Sequence, residues 1–151
     1  MKTIQSFTVD HLKLRPGLYI SRVDGDATTF DLRTRTPNGG DYMDNLTMHS
    51  VEHLFATVIR NGPMSEKVLY FGPMGCQTGF YLITRNAAPE DVLSEILRVL
   101  KAILRWNEKM PGSEEKECGN YKNLSLAAGK EECRKYLEIL ENSKVDFQYE
   151  V

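Results

Sequence analysis

Two histidines one helical turn apart, with a glutamate between them, carry the clearest chemistry in this chain. His49, Glu52 and His53 lie in the run 48–62, and residues i and i+4 of a helix share a face. Two neutral imidazoles placed this way can grip one divalent metal, leaving Glu52 free as a general acid or base beside it. His-x-x-Glu-His is also the inverted zinc-peptidase motif, and a solvated polar face carrying two histidines would need no function at all. A catalytic metal site requires at least one more protein ligand, which this run does not supply. Cys76 is the second reactive candidate. It sits in Gly-Pro-Met-Gly-Cys-Gln-Thr-Gly, residues 72–79, where a glycine-flanked turn lets a thiol face a cleft. Cys118 precedes a glycine near the end of a polar loop, and Cys133 reads as a small core or surface thiol on a helix. Asp31 and Arg33 stand two apart in a strand and so share a face, where an ion pair is the simplest reading. Ser6 and His11 are the only reactive groups of the first twelve residues.

These groups need elements to hold them. The run 48–62 alternates as a helix, with Val51, Leu54, Phe55, Val58 and Ile59 on the arc opposite the histidines, and Gly62 suits a left-handed C-cap. Strands are expected over 17–23 and 28–34, joined by Asp24-Gly25-Asp26. Two more are expected over 67–71 and 79–84, rich in β-branched and aromatic residues. Pro89-Glu90-Asp91 opens a second helix reaching about residue 106. A third helix covers about 124–142, and the tail 145–151 could add a short strand. The class expected is α+β: one domain over 1–151, with a mainly antiparallel sheet packed by about three longer helices.

Composition narrows the functions. At 151 residues with a net charge of -2 and a pI near 5.9, the chain offers no electrostatic case for nucleic acid or an anionic membrane. No apolar run approaches the length of a membrane span, and the first ten residues lack the apolar core of a signal peptide. Three cysteines at wide spacing fit thiols kept reduced in a cytoplasm better than a disulfide framework.

Five blocks run in order along nearly the whole chain: Ser6-Phe7-Thr8-Val9-Asp10-His11, Phe30-Asp31-Leu32-Arg33 followed by Pro37-Asn38, the His49/Glu52/His53 helix, Pro73-Met74-Gly75-Cys76-Gln77-Thr78-Gly79-Phe80-Tyr81, and Glu117-Cys118-Gly119-Asn120-Tyr121. Together they resemble the S-ribosylhomocysteine lyase family. The resemblance implies a metal held by His49, His53 and Cys118, with Fe(II) the native ion and Zn(II) or Co(II) as substitutes. It implies Cys76 and Glu52 as the catalytic pair, and Ser6, His11, Asp31 and Arg33 on the substrate. It further implies a homodimer with active sites at the interface. The reaction implied splits S-ribosyl-L-homocysteine, after two carbonyl migrations, into L-homocysteine and 4,5-dihydroxy-2,3-pentanedione. Three places depart from the family pattern: Tyr70-Phe71-Gly72 before the Cys76 run, Arg35-Thr36 before Pro37, and Gly62-Pro63 after the metal helix. They bear on the pocket wall rather than on the reactive groups.

Two rival readings make separate expectations. An inverted-motif peptidase would need a further carboxylate or histidine ligand, gives Cys76 no task, and finds no histidine after His53. A silent structural metal site would be closed by a fourth protein ligand, Cys133 or Cys76.

Overall fold

The computed structural model describes residues 1–150. Strand β1 (Gly17–Asp24) turns through Gly25, at φ +62, into β2 (Ala27–Arg33). That left-handed position is one glycine occupies without steric cost. Strands β3 (Val68–Pro73) and β4 (Gly79–Arg85) form a second hairpin. The hairpins join through their inner strands in the order β1-β2-β4-β3, antiparallel throughout. Helices α1 (Asn45–Arg60), α2 (Pro89–Leu104) and α3 (Leu126–Glu141) complete the α+β architecture expected from the sequence.

The strand alternation decides what each face of the sheet does. Phe30 and Leu32 of β2, paired with Leu82 and Phe80 of β4, face the helices and are fully buried. Asp31 and Arg33 therefore point to the other face. Phe55 of α1 stacks on Phe71 of β3 at 4.2 Å, and Phe71 on Phe80 of β4 at 5.2 Å. Each such ring pair adds roughly 0.5–1.5 kcal/mol beyond its burial, so the sheet and the histidine helix are held in one register.

Each helix start is legible in its residues. Asp44 caps α1 by accepting the Thr47 N–H, Ser125 caps α3 by accepting that of Ala128, and α2 opens on Pro89 with Glu90 and Asp91 in its first turn. Where α3 crosses α1, a Cβ on Gly129 would come within 2.7 Å of Leu54 Cδ1, so glycine eases that approach. Ser50 of α1 locks the same crossing: its Oγ accepts the Ser125 N–H at 2.8 Å and donates to the Leu46 carbonyl at 2.7 Å.

Four boundaries differ from the sequence expectation. α1 begins at Asn45, ahead of the expected start at 48, because Asp44 caps it. α1 ends at Arg60 with Asn61 as C-cap at φ -104, so Gly62 is not the left-handed cap. Gly62 instead leaves room for the Arg98–Glu95 ion pair of α2, which any Cβ there would strike. α2 stops two residues before Trp106. The tail makes one parallel bridge, Tyr19 with Phe147, rather than a strand, because Phe147 takes φ +64 and breaks the extended path. Val151 of that expected strand lies outside the described residues. No helix among the described residues is long and apolar enough to cross a membrane.

Candidate active site

α1 turns His49 and His53 away from the sheet toward the long connection between α2 and α3. Their rings lie edge to face with centroids 4.6 Å apart. That connection, residues 105–125, has no helix or strand of its own and holds both rings by backbone. The Asn123 carbonyl meets His49 Nδ1 and the Pro111 carbonyl meets His53 Nδ1, each at 2.8 Å. A carbonyl can only accept, so both Nδ1 atoms carry a proton, and it is Nε2 of each ring that is available to a ligand in the neutral form. Gly112, at φ +68, lets the Pro111 turn close on His53: a Cβ there would stand 2.7 Å from Nδ1. The Asn123 side chain donates to Asn45 Oδ1 at 2.5 Å, tying the support of His49 to the first residue of α1.

The same connection delivers Cys118, whose Sγ lies 3.3 Å from His49 Nε2 and accepts the Asn120 N–H at 3.4 Å. One donor atom each from His49, His53 and Cys118 falls within 4.8 Å of the others. Bond lengths of about 2.0–2.3 Å to nitrogen and sulfur place tetrahedral ligands roughly 3.5 Å apart, so the trio fits a single ion. Glu52 lies half-buried on the same helix, with no hydrogen bond or ion pair to any described residue. Cys133 is remote from the trio, 2% exposed in the core, where burial and then the Glu132 carboxylate push its thiol far up. It cannot close the site as a fourth ligand, and Cys76 lies elsewhere.

Cys76 belongs to a second cluster, on the sheet face away from α1. Arg33 pairs with Asp31 through Nε to Oδ1 at 3.1 Å and Nη2 to Oδ2 at 2.7 Å, the same-face pair expected from their spacing. Its remaining nitrogen, Nη1, donates to Thr78 Oγ1 at 2.8 Å and reaches Cys76 Sγ at 3.8 Å; Thr78 Oγ1 is 3.0 Å from that sulfur. An exposed thiol beside a buried guanidinium has the surroundings of a reactive cysteine. Tyr149 donates to Asp31 Oδ2 at 2.7 Å and stacks on Tyr19. The phenols of Tyr19, Tyr81 and Tyr149 are all pushed up, first by burial and next by the Asp31 charge, so they remain donors at neutral pH.

Asp31 and Arg33 are 1% and 3% exposed. Asp31→Ala would leave the guanidinium buried without its counter-charge, a loss of about 3–5 kcal/mol. Thermal unfolding is expected to show a Tm lowered by on the order of 10 °C; a shift within about 2 °C would show that the pair carries no such weight.

Not every expected site residue joins these clusters within one chain. Ser6 sits in a short 3-10 turn (Gln5–Phe7) beside Thr29 and Tyr81. Among the described residues His11 bonds only the Val9 carbonyl, at 2.8 Å. Sequence reasoning missed Thr78 as the bridge between Arg33 and Cys76, Tyr149 on Asp31, and the carbonyls of Pro111 and Asn123. Of these, only Pro111-Gly112 left a signal, as a turn pair. The three departures from the family pattern have local causes. Gly72 leaves space for the Tyr70 ring to fold over it, Gly62 for Arg98, and Arg35 forms an ion pair with Glu132 of α3 and with Asp41.

Three protein donors, rather than a closed set of four, are the layout of a catalytic metal site. Fold and site together thus define a small α+β protein with three donors that could hold one metal ion and a separate exposed thiol beside an arginine. The S-ribosylhomocysteinase (LuxS) family matches residues 4–146. An S-ribosylhomocysteine lyase of Borrelia garinii is 46% identical over 150 residues, covering 95% of this chain and 96% of that protein. The lyase of Finegoldia magna is 43% identical over 149 residues, with 95% of each covered. That of Clostridium acetobutylicum is 41% identical over 152 residues, covering 97% and 96%. The chain belongs to the S-ribosylhomocysteinase family and is a lyase.

Proposed function

We propose that this enzyme cleaves S-ribosyl-L-homocysteine to L-homocysteine and 4,5-dihydroxy-2,3-pentanedione, the autoinducer-2 precursor, as a cytoplasmic homodimer with active sites at the interface. The observation that carries the reading is the pairing of an open His49/His53/Cys118 donor set with a thiol beside Arg33. Two imidazoles and one thiolate suit Fe(II), with Zn(II) or Co(II) as substitutes. The bound ion supplies Lewis acidity toward the carbonyl oxygen of the open-chain sugar.

Proton transfers fall to the side chains. Cys76, as thiolate, takes the proton from the carbon next to the carbonyl and returns it to the former carbonyl carbon, while the neighbouring hydroxyl proton passes to the former carbonyl oxygen, moving the carbonyl by one position. A second such transfer puts the ketone at C3. The ketone acidifies the C4 hydrogen, so Glu52 can remove it while the C5–sulfur bond breaks. Homocysteine leaves with the bonding pair and takes up a proton, and the enol left behind tautomerises to the dione. Among the described residues Glu52 has no competing partner that would hold its carboxylate away from this task. Arg33, Asp31, Ser6 and His11 orient the sugar and the charged ends of the substrate.

Two features support assembly from two chains. No hydrogen bond joins the Cys76 cluster directly to the metal trio within one chain among the described residues. The N-terminal arm bearing Ser6 and His11 also exposes Ile4, Phe7 and Leu12 at 57%, 73% and 89%, apolar surface that a second copy would cover.

The test is colorimetric detection of homocysteine released from S-ribosylhomocysteine by anaerobically purified protein loaded with Fe(II) or Co(II). Release that requires the metal is expected. Folded, metal-loaded protein that releases no thiol would discard the reading.

A further inference from the structure

The loop bearing Cys76 is anchored beyond its own hairpin. The Met74 N–H donates to the Gly79 carbonyl at 2.9 Å and the Gln77 N–H to the Met74 carbonyl at 3.1 Å, closing a tight turn that includes the thiol. Gln77 then takes φ +66, a left-handed conformation that hairpin loops ordinarily give to glycine or asparagine. Glycine would meet that backbone demand more easily, but it has no side chain. The glutamine amide Nε2 donates to the Met43 carbonyl at 2.7 Å, and the Met43 N–H donates back to the Gln77 carbonyl at 3.0 Å.

Met43 is buried and stands immediately before Asp44, the N-cap of α1. The next residue, Asn45, accepts from the Asn123 side chain, and the Asn123 carbonyl accepts from His49. The segment 43–45 is thus gripped by the thiol loop on one side and by the support of a metal-binding histidine on the other.

We propose that Gln77 is a positioning residue: its side-chain amide, held in a left-handed backbone, fixes the Cys76 loop to the start of α1 and so sets where the thiol points. Gln77 touches neither the sulfur nor the metal donors and acts through the Met43 backbone. The proposal rests on Cys76 being the proton-transfer group of the lyase reaction.

Two variants remove the amide contact by different routes. Gln77→Gly suits the backbone and deletes the side chain; Gln77→Asn tolerates the same φ but is one methylene too short to reach the Met43 carbonyl. In both, kcat for thiol release is expected to fall at least tenfold, with KM changed less than threefold and one metal retained per chain. Alkylation of Cys76 by iodoacetamide at neutral pH, followed on the Cys76 peptide by mass spectrometry, is expected to slow at least threefold as the sulfur leaves the Arg33 guanidinium. A lowered Tm with unchanged kcat and unchanged alkylation would reduce Gln77 to a structural role and overturn the proposal. So would alkylation as fast as in the parent protein or faster. Because alkylation needs no turnover, it decides the positioning role even if the parent protein releases no homocysteine, the outcome that defeats the lyase reading itself.

Discussion

Cys76→Ala is expected to abolish homocysteine release while leaving the folded, metal-loaded protein intact. The thiol is assigned both carbonyl migrations, and an alanine there has no proton to give or take. A positioned acid or base contributes about 10^2–10^4-fold to such a step, and two consecutive steps depend on this one group. The side chain is exposed, and among the described residues its polar contacts are with Arg33 and Thr78, so its loss leaves the core in place. The Asp31–Arg33–Thr78 network survives without it. Metal content, measured by atomic emission, is expected to stay at one ion per chain, and Tm to stay within about 2 °C. Glu52→Gln is the companion variant and should show the same separation of binding from turnover, since Glu52 supplies no donor to the trio. Near-normal thiol release by either variant would remove that residue from its assigned role.

Cys118→Ala strikes the other half of the site. The sulfur is one of three donors, and the other two come from a single helix face. Loss of an outer partner at a metal site typically costs 10–100-fold in affinity; loss of a direct donor is expected to cost more, leaving only traces of metal after dialysis. Thiol release should fall to background with it. The structural consequence should be local. Residues 105–125 have no helix or strand, and they meet α1 through Pro111, Asn123 and Cys118, whereas the Phe55–Phe71–Phe80 core does not involve the metal. Limited proteolysis is therefore expected to cut within 105–125 in Cys118→Ala and in chelator-stripped protein, at protease levels that spare the metal-loaded parent. Equal cutting in all three would show that the ion does not fasten this connection.

Much of this layout is visible in the chain before any coordinates. The i, i+4 spacing of His49 and His53 puts them on one helix face whatever the rest of the fold does, because 3.6 residues per turn leaves no alternative. The two-residue spacing of Asp31 and Arg33 likewise gives a shared face once the strand is granted. Gly25 and Pro89 mark a turn and a helix start through local backbone chemistry, whereas the caps Asp44 and Ser125, which set where α1 and α3 begin, were seen only in the structure. The glycine-flanked Cys76 reads as a loop thiol for the same kind of reason. Cys118 is different. Read from its residues it is only a cysteine before a glycine in a polar loop, and it entered the metal set through resemblance to a family.

Tertiary structure decided what no local rule encodes. Cys118 meets His49 across 69 residues, and Tyr149 meets Asp31 across 118. The connection that carries Cys118 has no periodicity of its own, so its path is set by the close crossing of α1 and α3 at Gly129 and by two backbone carbonyls. Gly62, read as a helix cap, proved to be a gap occupied by an arginine of α2 and has no left-handed φ. The sequence by itself determined which groups share a helix face or a strand face, since those depend on spacing alone. Which distant groups meet them was decided by packing, since side chains far apart in the chain are brought together only when buried surfaces fit.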